Sequence, residues 1–174
     1  MISVVAVVLG AAVGSFLNVV IARLPRRESL VIPASHCRHC GAPIRWQDNI
    51  PILSFLLLRG RCRACRAPIA WQYPAVEAAT AGLFWLAVWR IGWRIELIPA
   101  WLFLSALIAI TAIDLEHQII PDRITLPGIL FGFLANLTTG KLSLMDAGLG
   151  ALLGGGIFFL IILVSGGGMG GAQP

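Results

Sequence analysis

The chain has 174 residues, 58% hydrophobic and 12% charged, with a mean hydropathy of +0.88 and a net charge of +5. That balance excludes a soluble globule of this length and describes a polytopic membrane protein. Nine of the thirteen Lys and Arg residues lie between Arg23 and Arg66, against two acids, Glu28 and Asp48; for a cluster tethered beside a membrane, anionic lipid headgroups are the nearer partner, and no nucleic acid is expected.

In chain order, residues 1–23 form a first transmembrane helix, long enough to cross at ~20 residues per span. No basic residue precedes the run and no small-x-small pattern follows it, so it does not read as a cleavable signal. Gly10 and Gly14 place two glycines on one helix face, where another helix can approach closely. Ser15 and Asn18 add polar groups, read first as interhelical hydrogen bonds and second as part of a substrate groove. Arg23, Arg26 and Arg27 follow, which puts this end in the cytoplasm and the N-terminus outside.

Residues 24–73 are too polar to cross and form a cytoplasmic insert. It reads Cys37-Arg-His-Cys40 and Cys62-Arg-Ala-Cys65, two CxxC pairs 25 residues apart, with Ala-Pro-Ile-x-Trp-Gln following each. The duplication predicts two like knuckles. Cys37, Cys40, Cys62 and Cys65 can complete a tetrahedral S4 zinc site, and a reducing cytoplasm disfavours disulfides. The role expected of the metal is a structural staple, because an insert this small lacks a core of its own. His36 and His39 are read as bystanders. Trp46 and Trp71 are expected to pack over the knuckles, and Ile50–Leu58 against the membrane surface or the helices.

Residues 74–174 supply transmembrane helices two to five. The second, about 75–93, begins after Pro74. Glu77 in its first turn suits the helix dipole or serves the site. Trp89, Trp93 and Trp101 mark an interface belt on the far side. The third, about 97–113, returns to the cytoplasm and delivers Asp114. The fourth, about 119–137, opens with Pro121-Asp122 and carries Gly128 and Gly132. The fifth, about 147–164, carries Gly150 and Gly154 and ends in the run from Ser165 to Gly171, on the same side as Asp114 and the cysteines. The fold class is therefore an all-α polytopic membrane protein of about five transmembrane helices with a zinc-ribbon-like insert.

Acidic groups at a membrane boundary are functional candidates by default. Asp114 is read as half of a catalytic aspartate pair, in which one carboxyl stays protonated and the other takes a proton from water. A metal site from Asp114, Glu116, His117 and Asp122 is disfavoured, because these residues share a short turn without the helical two-histidine spacing.

With these motifs in place, the chain resembles the type IV prepilin peptidase family, bacterial leader peptidases of the intramembrane aspartyl class. The likeness is carried by Gly14-Ser-Phe-Leu-Asn-Val-Val-Ile-Ala-Arg-Leu-Pro25, the paired CxxC insert with Asn49-Ile-Pro51, Tyr73-Pro-Ala-Val-Glu77, Asp114–Asp122 and Gly167-Gly-Met-Gly-Gly171. The resemblance implies an inner-membrane enzyme. It implies cleavage of the basic leader of type IV prepilins and pseudopilins at the cytoplasmic face. It also implies methylation of the new N-terminus with S-adenosylmethionine, whose binding residues stay unassigned. Asp114 matches the family's first catalytic aspartate, with Asp122 supporting it or holding the helix start. The family's glycine motif closes in Gly-Asp, its second catalytic acid. Here Ala172-Gln173 stands there and the chain stops at Pro174, so the expectation is a C-terminally truncated member, inactive alone. The alternative is a non-catalytic zinc-ribbon membrane protein that binds pilins or secretion components. A small transporter ranks last, since it has no need of the CxxC insert.

Overall fold

Apolar runs of this length can satisfy their backbone in a membrane only as helices. In the computed structural model, which describes residues 2–140 and 143–164, these runs are helical and no strand occurs among the described residues. Helix α1 spans Ile2–Arg23, a short α2 spans Leu53–Leu57, α3 spans Gln72–Ile91 and α4 spans Leu97–His117. Helices α5 (Asp122–Thr139) and α6 (Leu144–Val164) follow. By length and composition α1 and α4 each suffice to cross a membrane. The chain divides into two units, residues 1–121 and 122–174.

In the first unit α1, α3 and α4 pack against one another, α1 most closely against α3. The glycines of α1 make this possible. A Cβ at Gly10 would lie 2.7 Å from the Cα of Ala81, and one at Gly14 would lie 2.7 Å from the Cα of Glu77. Backbone therefore meets backbone, as the glycine spacing predicts. Asn18, buried on the same face, donates from Nδ2 to the Tyr73 carbonyl at 3.0 Å. The interhelical reading of Asn18 thus holds. Toward the other end, Ala6, Ala87, Val88 and Leu97 form a buried cluster flanked by Ile91, Trp101 and Leu104. Trp101 stacks on Phe84 at 4.9 Å, meets Trp93 edge-on and donates from Nε1 to the Phe84 carbonyl.

Several helix ends differ from expectation, α5 starting at Asp122 rather than about 119 and α6 at Leu144 rather than about 147. Helix α3 begins at Gln72 rather than after Pro74, because a proline within the first turn sacrifices no intrahelical bond. Glu77 then falls in the second turn. Helix α4 runs on past Ile113 to His117, where Gln118 turns left-handed (φ +54°) and donates its N–H to the Asp114 carbonyl at 2.8 Å. Asp114, Glu116 and His117 are therefore helical rather than parts of a turn.

In the second unit Asp122 occupies the first turn of α5, and Ser143 caps α6 by accepting the Asp146 N–H while its hydroxyl donates to that carboxylate. A Cβ at Gly128, Gly132, Gly150 or Gly154 would meet no described atom within 4 Å. The run from Ser165 to Gly171 and the pair Ala172-Gln173 lie outside the described residues.

Candidate metal centre and acidic helix end

The insert folds as the duplication predicts. In the first knuckle the Cys37 N–H donates to the Ala42 carbonyl (2.9 Å) and the Gly41 N–H to the Cys37 carbonyl (2.8 Å). In the second, the Cys62 N–H donates to Ala67 (2.8 Å) and the Arg66 N–H to Cys62 (3.0 Å). Each knuckle needs a left-handed residue after its second cysteine: Gly41 at φ +70° and Arg66 at φ +62°. Isolated bridges join His36 to Pro43 and Arg61 to Pro68, again at equivalent positions.

The two turns bring all four sulfurs within 4.8 Å of one another, with Cys37 Sγ 3.9 Å from Cys65 Sγ. Four thiolates about 2.3 Å from a tetrahedral zinc would stand about 3.8 Å apart. The donor set therefore fits zinc, and the cluster could hold it. The backbone N–H groups of Cys40 and His39 pull the Cys37 thiol down to about 6. At Cys65 the Ala67 N–H acts in the same direction, but desolvation and the three neighbouring thiols push the group up to about 11.

Three contacts outside the cysteine pattern fix the insert. The Arg23 guanidinium, at the end of α1, donates to the carbonyls of Ser29 (2.9 Å) and Pro33 (2.8 Å). Arg63 grips the Asp48 carboxylate through Nε and a terminal nitrogen at 2.6–3.1 Å, which lowers the Asp48 pKa. Buried Glu77 of α3 accepts the Ile52 N–H at 2.7 Å. Ile52 has φ +62°, a costly conformation for a β-branched residue, and this bond tethers it. Trp46 and Trp71 do not cover the knuckles: they are 81% and 75% exposed, and Trp71 instead meets Phe55 at 4.9 Å.

Asp114 is exposed in the last turn of α4, with Ile113 behind it wholly buried. Asp114 and Glu116 sit at the helix end where the dipole disfavours anions, so local helix stability does not account for them. Glu116 Oε1 is 4.0 Å from His117 Nε2. Glu116 also lines a recess with Asn18, Ala22, Arg38 and Tyr73. The ends of α1 and α4, the start of α3 and the first knuckle thus meet at one end of this unit. Asp122 belongs to the second unit, at the favourable N-terminal end of α5.

A family profile described as the Bacterial Peptidase A24 N-terminal domain matches residues 8–91, and one described as the Type IV leader peptidase family matches residues 101–172. The chain is 46% identical over 147 residues to the prepilin leader peptidase/N-methyltransferase of Myxococcus xanthus, covering 84% of this chain and 44% of that protein. It is 41% identical over 151 residues to the protein of that name from Klebsiella pneumoniae, covering 83% and 66%. It is 41% identical over 187 residues to the type 4 prepilin-like proteins leader peptide-processing enzyme of an Escherichia coli strain, covering 94% and 68%. This chain thus spans less than half of the Myxococcus relative and about two thirds of the other two. No solved structure matches it.

Proposed function

Because the chain belongs to the type IV leader peptidase family, we propose that it represents the part of a membrane aspartyl endopeptidase that carries Asp114. The substrates are type IV prepilins and pseudopilins, cut at the cytoplasmic face of the bacterial inner membrane. The observation that carries the reading is the exposed Asp114 at the end of α4, two residues from the Glu116 that shares a recess with the first cysteine knuckle.

Asp114 takes the role of one carboxyl of an acid–base pair. Ionised, it draws a proton from a water that attacks the scissile carbonyl; the partner carboxyl, protonated, polarises that carbonyl. Gln173 cannot ionise, so the second carboxyl must come from elsewhere. Asp122 supports the site by fixing the start of α5. About five crossings, with the N-terminus outside, put the insert and Asp114 on the cytoplasmic side, where anionic lipids hold a basic leader while the apolar pilin helix stays in the bilayer. Zinc held by Cys37, Cys40, Cys62 and Cys65 staples the insert and takes no part in the bond cleavage. N-methylation, the second activity in the relatives' names, is part of this proposal, with S-adenosylmethionine as the donor that the family resemblance implies and no residue of this chain assigned to it.

The test is a chimera of residues 1–171 followed by the part of the Myxococcus relative beyond its matched region, assayed on a prepilin substrate. Leader cleavage is expected, and Asp114→Asn should lower its rate by about 10²–10⁴-fold. Full-rate cutting by the Asp114→Asn chimera overturns the assignment. If the chimera is inert while the chain still captures pilins, the non-catalytic reading is favoured.

A further inference from the structure

Helix α2 is held against α3 at two points. The Ile52 N–H reaches Glu77 in the second turn of α3, and the Phe55 ring rests on Trp71, the residue just before α3. A third contact stiffens the corner: the Phe55 ring lies so near Gly60 that a Cβ there would come within 3.0 Å of it. Yet the leucines of α2 are largely uncovered among the described residues. Leu53, Leu56 and Leu57 are exposed, Leu57 by 80%, and so is Trp71. In the next turn of chain, Leu57, Leu58, Arg59, Arg63 and Arg66 line an open recess of about 260 Å³. Asp48 neutralises only Arg63, so the recess keeps two positive charges.

We propose that this recess binds the headgroup of an acidic phospholipid, with the leucines of α2 and Trp71 seated at the acyl boundary. The inference rests on the membrane placement of α3 proposed above, because α2 lies beside the first turns of that helix. An apolar surface next to a membrane entry, backed by arginines, has the composition of an interfacial anchor. Charge decides the occupant. A basic pilin leader would be repelled here, while an anionic lipid satisfies the guanidiniums and the leucines together.

Arg59 and Arg66 both have positive φ, at 53° and 62°. Replacing each with glycine removes the charge and relieves the backbone, so loss of binding could not be blamed on strain. The full chain and its Arg59→Gly/Arg66→Gly variant would be reconstituted in phosphatidylcholine nanodiscs containing a minority of phosphatidylglycerol. Retained lipid would then be counted by native mass spectrometry, with zinc content as the fold control. Enrichment of phosphatidylglycerol should fall about thirtyfold in the variant, at roughly fivefold per arginine near an anionic surface. Excess inorganic phosphate should leave it unchanged. In discs of brominated lipid, Trp71→Phe should remove part of the quenched fluorescence. Equal enrichment in both proteins overturns the proposal. So does displacement by inorganic phosphate, which marks a soluble-anion site, or preference for an acidic peptide over the lipid. A chain recovered outside the membrane fraction would instead refute the membrane placement, so the two failures are separable.

Discussion

Arg66 and Gly41 occupy the same place in two copies of one turn, and only one of them is suited to it. A side chain in the left-handed region costs about 1–2 kcal/mol, so Arg66→Gly should stabilise the second knuckle by about 1 kcal/mol after the added flexibility of glycine in the unfolded chain is subtracted. Slower zinc loss to a chelator would show it. Glu77→Ala should act the other way. It strands the Ile52 N–H and lets the strained corner relax, at a cost of about 1–3 kcal/mol read from thermal melts in detergent. Asp48 gives the insert a pH dependence of known sign. Arg63 depresses its folded pKa below the ordinary value of 3.8. Its contribution is therefore present above that value and is lost as pH falls through the lower folded one. Asp48→Asn should remove that acid-linked part of the loss, measured as zinc retention against pH. The cysteine pattern was legible at this scale, because ligand spacing is local. The bonds of Arg23, Asp48 and Glu77 were not, because each joins residues that only the folded chain brings together.

The α1–α3 pair is the most extensive helix packing among the described residues. Glycine spacing indicated a close approach, and Gly10 and Gly14 deliver it against Ala81 and Glu77. Because the obstructing atoms are backbone, a side chain at Gly14 cannot be absorbed by a rotamer change. Gly14→Val should cost about 1–3 kcal/mol by overpacking, visible as a lower melting temperature in detergent. Helix ends were less legible than helix existence. Pro74 is equally at home a few positions inside a first turn, and α4 has no breaker before Pro121, whose ring disfavours helix in the residue ahead of it. The tryptophans of the insert were misjudged for a related reason. Trp46 and Trp71 follow the knuckles in sequence, but each knuckle is closed by its own backbone bonds and gives them nothing to cover.

For the whole molecule, a metal held by the four cysteines would stabilise a region separate from the helices. Chelation should expose four reactive thiols and loosen residues 24–71, while α1, α3 and α4 keep their packing. Thiol titration with far-ultraviolet circular dichroism would check both halves, and a collapse of helical signal would count against the division. The apolar runs foretold the long helices. The candidate site was only partly foreseeable: Asp114 was identifiable from charge beside apolar sequence, whereas the meeting of Glu116, two residues on, with Arg38 of the first knuckle depends on how three helix ends converge.

Asn18 and Tyr73, joined by one hydrogen bond, stand near the two points where the insert leaves the helices. Some fifty residues thus depart and return through a single narrow doorway. Such a loop can be lengthened, shortened or exchanged with little entropic penalty, since closure cost grows only slowly with length. The ribbon would then be a detachable cassette that evolution can redesign without reopening the helical frame.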